Sequence, residues 1–284
     1  MRVDLVKPIG HCYGVINAIE LAKKVANTHK DKNIYIFGFL VHNDDVIKEL
    51  ESLNIKTMDI TDVDPLKKLE EFNKDDIVIF TAHGHPYSYE EVLNKRGVKY
   101  YDASCPKVLQ SFELIKKANE TIYIGKNNHP ETKAALTMSN NVHLYDINNG
   151  LDYQAVNSES PLVLNQTTLS FLELKDIHQD IKEHFPKAQI IDEICNATLL
   201  RQKAIQELND DVDLIVIAGS KRSSNTNKLY EVARSSHPLK KVIFVENKED
   251  LMNISLNYKH AVIAGGTSTP ITIIREIKEY LERL

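Results

Sequence analysis

The chain has 284 residues, of which 42% are hydrophobic, and it carries a formal net charge of −5. That length suggests two or three packed units, and the acidic balance argues against a broad nucleic-acid-binding surface, which would be basic. No run of about 18 apolar residues could cross a membrane, and the first residues do not resemble a signal peptide.

The first predicted helix follows Cys12 in "GHCYGVINAIELAKK", where apolar residues recur at spacings of three and four. A short apolar strand, "NIYIFGFL", comes next, and "VHNDDVIKEL" then opens a second helix. A further strand ends in a polar tip, "DIVIFTAHGHP". Short β-branched strands that alternate with helical patterns predict an α/β unit with parallel strands.

The same order of elements recurs twice more along the chain. A helix follows Cys105, then come the strand "TIYIG", the segment "KNNHPETKAAL" and the strand with its polar tip "PLVLNQTTLS". After Cys195 come a helix, the strand "DLIVIAGS", the segment "KRSSNTNKLYEVA" and the tip "HAVIAGGTSTP". We expect the strands of these tips to end at Thr167 and Thr168 and a helix to open at Ser268.

The cysteines at positions 12, 105 and 195 are separated by 93 and 90 residues, which indicates an internal repeat. A chance match of three common β–loop–α alternations is the alternative. Because ligands collect at the carboxyl ends of parallel strands, three such units around a common axis would bring all the polar tips together.

The three thiols are the first candidates for chemistry. They are too few and too far apart for a secreted disulfide framework, which favours a reducing, cytoplasmic location. They precede helices, whose dipole favours the thiolate, the form that binds metals. Spacing alone leaves three readings open, namely a catalytic iron–sulfur cluster with one open iron, a zinc site, or inert buried cysteines.

The polar tips suggest an anion-binding pocket. Imidazoles, hydroxyls, amides and helix N-termini are what a phosphate or diphosphate needs, and these groups are supplied by His42, His83, His129, Ser223, Ser224, Asn225 and Ser268. Each of these residues could also be only a structural residue or a helix cap. Glu131, two residues after His129, is either a helix-dipole partner or a proton carrier whose pKa burial raises.

In their order along the chain, "GHCYGVINAI", "FLVHNDDV", "TAHG", "DASCP", "NHPE", "NQTTLS", "ICNAT…RQ", "GSKRSSN" and "GGTSTP" resemble the signatures of the 4-hydroxy-3-methylbut-2-enyl diphosphate reductase family. The resemblance runs from about residue 9 to residue 270. It implies a trefoil of three α/β domains around a central iron–sulfur cluster. We expect the domains to be residues 13–103, residues 104–193, and residues 1–12 together with 194–284.

The resemblance also implies a role for individual residues. One [4Fe-4S] cluster would be ligated by Cys12, Cys105 and Cys195. The diphosphate would be bound by His42, His83, His129, Ser223, Ser224, Asn225 and Ser268, and Thr168 is a further expected substrate contact. Glu131 would donate protons, and Thr167 would hold the substrate hydroxyl and link it to Glu131.

The implied reaction is the reductive dehydroxylation of an allylic alcohol to isopentenyl and dimethylallyl diphosphate, the last step of the methylerythritol phosphate route. Ferredoxin or flavodoxin would supply the electrons, since no nucleotide-binding glycine pattern is evident. A monomeric protein is expected. The alternative is a non-redox phosphate-binding protein with a structural zinc on the three cysteines.

Four positions depart from the usual family pattern, namely His11, Tyr13, His85 and Asn128. None of them removes a chemical group from the expected site. His11 and Tyr13 lie beside Cys12, where they would alter the solvation of a bound cluster and so its potential.

Overall fold

The computed structural model describes residues 1–252, 254 and 257–284. Within this part of the chain, twelve strands form three sheets of four, and every strand pair within the sheets is parallel. The alternation of strands and helices predicted from sequence is therefore confirmed, and so is its α/β class.

The first sheet has the strand order β3-β2-β4-β5. The chain begins with strand β1 (Arg2–Leu5), which belongs to the third sheet, and continues through α1 (Tyr13–Thr28), β2 (Asn33–Phe37), α2 (Asp44–Glu51), β3 (Ile55–Met58), α3 (Pro65–Leu69), β4 (Asp76–Phe80), α4 (Tyr87–Arg96) and β5 (Lys99–Asp102). The whole of β4 is buried, with apolar clusters on both faces of the sheet. Such burial is typical of parallel sheets covered by helices.

The second sheet has the order β7-β6-β8-β9. Its elements are α5 (Pro106–Lys117), β6 (Thr121–Gly125), α6 (Pro130–Ala135), β7 (Val142–Asp146), a 3-10 turn (Tyr153–Ala155), β8 (Leu162–Asn165), α7 (Phe171–His184) and β9 (Gln189–Ile190). Strand β8 ends at Asn165, so the prediction that Thr167 and Thr168 end this strand is wrong. The Gln166 N–H still donates to the Ile124 carbonyl, but the chain then turns away with both threonines in the loop.

The third sheet has the order β1-β12-β10-β11. Its remaining elements are α8 (Asn196–Gln206), β10 (Leu214–Ala218), α9 (Ser224–Ser236), β11 (Lys241–Val245), a 3-10 turn (Lys248–Leu251), β12 (His260–Gly265) and α10 (Ile271–Glu282). Helix α10 begins after Pro270, so Ser268 lies in the loop and does not open the helix as predicted.

The three sheets share one topology. In each, the second strand of the unit lies at one edge, and the first, third and fourth follow in that order across the sheet. The fourth strand of the third unit is β1, from the start of the chain. In such a sheet the loops after the first and third strands diverge at a topological switch point, where ligands bind. The predicted tips are these loops.

Candidate active site

The loops of the three sheets enclose one cavity of about 710 Å³, including its open mouth. Every site residue predicted from sequence lines it, namely Cys12, His42, His83, Cys105, His129, Glu131, Thr167, Thr168, Cys195, Ser223, Ser224, Asn225 and Ser268. Nine separate stretches of chain meet here, because each of the three units supplies the ends of its first, third and fourth strands. No helix in the described ranges has the length and apolar character needed to cross a membrane.

The three cysteines occupy equivalent positions. Each is the N-cap of the helix that follows the fourth strand of a unit, and all three are free and partly buried. The N–H of each donates, over the same 3.0 Å, to a carbonyl in the loop after the third strand of its sheet. The carbonyls belong to Thr267 for Cys12, Ala82 for Cys105 and Thr167 for Cys195. This shared contact points all three helix starts into the cavity.

Burial changes the expected chemistry of two of these thiols. A helix N-terminus lowers the pKa of a thiol, and backbone N–H groups do act in that direction on Cys12 and Cys105. Burial outweighs them, however, and raises the pKa of both thiols. The helix starts therefore act on Cys12 and Cys105 in the predicted direction, but burial has the larger effect on the pKa of both thiols.

Gly14, in the first turn of α1, lets two of the thiols lie close to the helix backbone because it has no side chain. A Cβ atom at this position would lie 2.7 Å from the Sγ of Cys105 and 4.0 Å from that of Cys12. Across residues 1–252, 254 and 257–284, no three His, Cys, Asp or Glu side chains form a group that could hold a metal ion. The three thiols that line the cavity are nevertheless a soft donor set of the kind that iron–sulfur clusters use.

The three histidines form a row along the cavity. The ring centroids of His42 and His83 are 4.8 Å apart, and those of His83 and His129 are 5.8 Å apart. Burial lowers the pKa of His42 to about 4 and that of His129 to about 3, and it holds the pKa of His83 well below its ordinary value. The substrate-free row is therefore neutral, and each ring can donate one N–H.

Two polar atoms of the cavity's histidine and serine side chains have no hydrogen-bond partner in the described part of the chain. Nδ1 of His42 and Oγ of Ser268 are buried without a hydrogen-bond partner among the described residues. Nδ1 of His129 accepts from the Glu131 N–H at 3.2 Å, so the neutral ring carries its proton on Nε2. Buried polar atoms without partners are costly, which indicates that a polar ligand completes this site.

Hydroxyls and an amide at the start of α9 also line the cavity. Ser223 caps this helix, and Oγ of Ser224 lies 2.9 Å from Oγ1 of Thr168, which joins the second and third sheets. Asn225 donates to Oγ1 of Thr198 and accepts from the N–H of Thr267, both at 2.9 Å. These contacts use the carbonyl of Asn225 and one of its two amide hydrogens, so Asn225 also anchors the loop that carries Ser268.

Glu131 is 1% exposed, and its carboxylate accepts three hydrogen bonds. Oε1 accepts from the N–H of Thr167 at 2.8 Å and from the hydroxyl of Tyr123 at 3.0 Å, and Oε2 accepts from Oγ1 of Thr167 at 2.9 Å. Burial raises the pKa of Glu131 to about 7, although these donors oppose it. A carboxyl with a pKa near neutrality can both hold and release a proton at physiological pH.

Sequence reasoning missed several residues of this site. Gln166 is fully buried, and its amide donates to Thr168 at 2.7 Å and to Ser224 at 3.2 Å. Arg201 is buried and donates to the carbonyls of Gly10 and Gly265, which flank the loops of Cys12 and Ser268. Gln166 lies in the segment "NQTTLS" and Arg201 in "ICNAT…RQ", so the family resemblance could have identified both as site residues. Nothing in the sequence indicates a role for Tyr123, because a tyrosine in an apolar strand is typical of the hydrophobic core.

The departures from the family pattern lie outside this cavity. Tyr13 is 73% exposed, and His85 lines a smaller second cavity, where its Nε2 lies 3.0 Å from Glu90. Asn128 adopts a left-handed conformation with φ of 68° and turns the chain just before His129. Asparagine tolerates this conformation better than most residues, so the loop keeps its shape without glycine.

Comparison with known proteins gives a consistent result. Residues 3–282 match the family described as LytB protein. Proteins named 4-hydroxy-3-methylbut-2-enyl diphosphate reductase are 34% identical in Symbiobacterium thermophilum, with 100% of this chain and 97% of that protein covered, and 34% identical in a Geobacillus species, with 100% and 91% covered.

Two solved structures are also similar. The E-1-hydroxy-2-methyl-but-2-enyl-4-diphosphate reductase from Plasmodium falciparum gives a TM-score of 0.87 at 27% identity, covering 100% of this chain and 87% of that one. A structure of (E)-4-hydroxy-3-methyl-but-2-enyl diphosphate reductase, described as the terminal enzyme of the non-mevalonate pathway, gives 0.69 at 28% identity, covering 100% of each chain. These relatives do not support the alternative of a non-redox protein with a structural zinc.

Proposed function

Because this chain belongs to the LytB protein family, we propose that it reduces 4-hydroxy-3-methylbut-2-enyl diphosphate to isopentenyl and dimethylallyl diphosphate. In this reaction the allylic C–O bond breaks and the oxygen leaves as water. Two electrons and two protons are consumed, one proton ending on the water and the other on carbon. The reaction is the final step of the methylerythritol phosphate route to isoprenoids.

The observation that carries the proposal is the meeting of three different chemical groups in one cavity. Three N-cap thiols, a row of neutral histidines and a buried carboxyl with a pKa of about 7 all line the same space. Electron transfer, diphosphate binding and proton donation are the three tasks of this reaction, and the cavity has a chemical group suited to each.

Cys12, Cys105 and Cys195 would hold one [4Fe-4S] cluster. Three equivalent thiols that line one cavity, two of them beside Gly14, support this assignment, since each iron of such a cluster takes its own thiolate. With three protein ligands, the bound cluster would supply electrons and one iron open to the substrate oxygen. The thiols must stay free of disulfides, so the proposal needs a reducing compartment, which we take to be the cytoplasm.

The diphosphate would lie between the histidine row and the start of α9. Neutral imidazoles, hydroxyls and an exposed helix N-terminus favour a bound anion, and we assign this role to His42, His83, His129, Thr168, Ser223, Ser224, Asn225 and Ser268. The buried Nδ1 of His42 and Oγ of Ser268, which find no partner in the described chain, would gain one from the ligand.

Glu131 and Thr167 would transfer a proton to the substrate. The carboxyl is within hydrogen-bond distance of Thr167 Oγ1, and Thr167 lines the cavity, so its hydroxyl can contact the substrate hydroxyl. Glu131 can hold a proton at neutral pH because burial raises its pKa to about 7. The loops at both residues shield the carboxyl from solvent, so its proton is delivered through Thr167.

Three further assignments complete the proposal. Ferredoxin or flavodoxin would donate the electrons, and the protein would act as a monomer. The domains would be residues 13–103, residues 104–193, and residues 1–12 with 194–284. In support of this division, each range contains one complete four-stranded sheet.

Anaerobic purification tests the proposal directly. The protein should be brown, contain iron and acid-labile sulfide, and convert the substrate to both products with a chemical reductant. Cys105→Ala should lose the visible absorption and the turnover while keeping the far-ultraviolet circular dichroism of the fold. A colourless protein without sulfide, or one that holds a single zinc ion, would contradict the assignment.

A further inference from the structure

Tyr123 lies in the middle of β6, between Ile122 and Ile124, and all three residues are 0% exposed. A phenylalanine would fill the same space without bringing a hydroxyl into an apolar core, which is costly unless the group is hydrogen-bonded. Within residues 1–252, 254 and 257–284, the hydroxyl makes one hydrogen bond, to Oε1 of Glu131 at 3.0 Å. The buried hydroxyl is therefore dedicated to Glu131.

The two oxygens of Glu131 have different kinds of partner. Oε1 contacts the N–H of Thr167, which can only donate, and the hydroxyl of Tyr123, which has no other acceptor in the described residues. Both therefore donate to Oε1 whatever the protonation state of the carboxyl. Oε2 contacts Oγ1 of Thr167 at 2.9 Å, and a threonine hydroxyl can either donate or accept.

Resting on the function proposed above, we infer that Tyr123 is a positioning residue that confines the acidic proton of Glu131 to Oε2. With Oε1 occupied by two donors, a proton on Oε1 would oppose the hydrogen of at least one of them. A proton on Oε2 instead donates to Thr167 Oγ1. The hydrogen of Thr167 is then free to donate to a group in the cavity.

This arrangement defines a balanced proton transfer. One O–H bond breaks at Oε2 of Glu131 as another forms at Oγ1 of Thr167, whose own proton passes to the hydroxyl oxygen of the substrate. Glu131 ends as the carboxylate, and Thr167 again donates to Oε2. No electrons are needed for this step, and Tyr123 keeps its proton because burial raises its pKa well above the ordinary value.

Other charged groups near Glu131 act on it less directly. Glu193, in the segment before α8, raises the pKa of Glu131 and is itself paired with Lys107 at 2.9 Å. His129, in the same loop, accepts the N–H of Glu131 and is neutral. Tyr123 and Thr167 oppose burial by stabilising the carboxylate. Removing the hydroxyl of Tyr123 should therefore raise the pKa of Glu131 further.

Tyr123→Phe in the intact, cofactor-loaded protein tests the inference. Infrared difference spectra recorded across pH follow the carbonyl stretch of the protonated carboxyl, and Glu131→Gln identifies the band that belongs to Glu131. We expect the midpoint of this band to rise by about one pH unit or more, the effect of losing one hydrogen bond to a buried charge. The alkaline limb of the turnover profile should move upward by the same amount.

Tyr145→Phe is the matched control. Tyr145 lies in the neighbouring strand β7 and also donates to a carboxylate at 2.8 Å, but this carboxylate belongs to Asp180 and not to Glu131. Its replacement should leave the Glu131 band and the pH profile unchanged. Tyr123→Leu, which also lacks the hydroxyl, should reproduce the shift and serves if Tyr123→Phe folds poorly.

An unchanged midpoint in folded Tyr123→Phe and Tyr123→Leu would overturn the inference and show Tyr123 to be only a packing residue. Failure of the proposed function would look different. The wild-type protein would then lack a cluster or turnover, whereas the infrared titration would still compare Glu131 between wild type and variants.

Discussion

Thr167 contacts Glu131 twice, through its N–H at 2.8 Å from Oε1 and through its hydroxyl at 2.9 Å from Oε2. The carbonyl of the same residue accepts the N–H of Cys195 at 3.0 Å. One residue therefore fixes the buried acid relative to one of the three thiols. The proposed proton donor and a proposed cluster ligand are therefore connected through the backbone of Thr167.

Glu131→Gln should lower turnover by about 100-fold or more, the usual scale for losing a general acid. The amide oxygen of glutamine can take the place of Oε1 and accept both donors, and its NH₂ group can face Thr167. The fold and the substrate affinity should therefore stay near normal. Steady-state turnover with saturating reductant, calorimetric binding and the visible absorption check these three expectations. Near-wild-type turnover would show that the protons come from elsewhere.

Thr167→Val should reduce turnover less than Glu131→Gln does. Valine keeps the shape and the backbone N–H to Oε1, but it removes the hydroxyl that contacts Oε2 and the substrate. The acid remains in place and itself lines the cavity, so protons can still reach the substrate hydroxyl by a slower direct route, although that hydroxyl is held less well. Thr137→Val is the matched control, because Thr137 donates only to the carbonyl of Ala134, outside the cavity. If Thr167→Val is as active as Thr137→Val, Thr167 takes no part in the proposed proton transfer.

The fold was largely predictable because its signals repeat. Intervals of 93 and 90 residues between cysteines, with the same order of tips after each, encode three units of one topology. The side-chain contacts within the site were less accessible. Tyr123 reaches Glu131, eight residues on, because the chain turns back at Asn128, whose left-handed conformation nothing in an apolar strand pattern indicates. The raised thiol pKa of Cys12 and Cys105 likewise depends on tertiary burial, which local position cannot supply.

Replacing His42, His83 or His129 with phenylalanine should weaken substrate binding about ten- to a hundred-fold. A hydrogen bond to a charged group contributes roughly 1.5–3 kcal/mol, and phenylalanine keeps an aromatic ring at each position of the row. The cluster spectrum should not change. His143→Phe, whose histidine pairs with Glu120 away from the cavity, should bind normally. Normal affinity in all three cavity variants would mean that these histidines are only structural.

The buried titratable groups predict opposite effects of pH on stability. His42 and His129 have pKa values of about 4 and 3 in the folded state, below the ordinary 6.5, so the unfolded state binds more protons between these limits. Their contribution to the free energy of unfolding is complete above pH 6.5 and is lost as the pH falls toward 4. Glu131, raised from 4.5 to about 7, behaves in the opposite way, and its contribution is lost as the pH rises through 7.

Thermal unfolding at a fixed scan rate, from pH 4 to 8, separates these contributions. As the pH falls from 6.5 toward 4, His42→Gln should reduce the loss in unfolding temperature that His42 causes. As the pH rises from 4.5 to 7, Glu131→Gln should reduce the loss that Glu131 causes. Identical pH curves for wild type and both variants would contradict the assigned pKa shifts. Substrate binding below pH 6.5 should also be accompanied by proton uptake, because a bound diphosphate raises the pKa of the histidines. Calorimetry in buffers of different ionisation enthalpy measures that uptake.

Gly14→Ala should separate folding from cofactor binding. Alanine is the better helix former by roughly 0.5–1 kcal/mol, so α1 should be as stable as before or more so. The added Cβ would, however, lie 2.7 Å from the Sγ of Cys105, and the thiol must move away. Iron and sulfide per chain after reconstitution should fall, and a chelator should bleach the visible absorption faster than in wild type. Asn17→Ala also improves helix propensity in α1 but adds no atom beside a thiol, so it should load normally. Full loading of Gly14→Ala with wild-type resistance to the chelator would show that the space beside Gly14 is not part of the cofactor site.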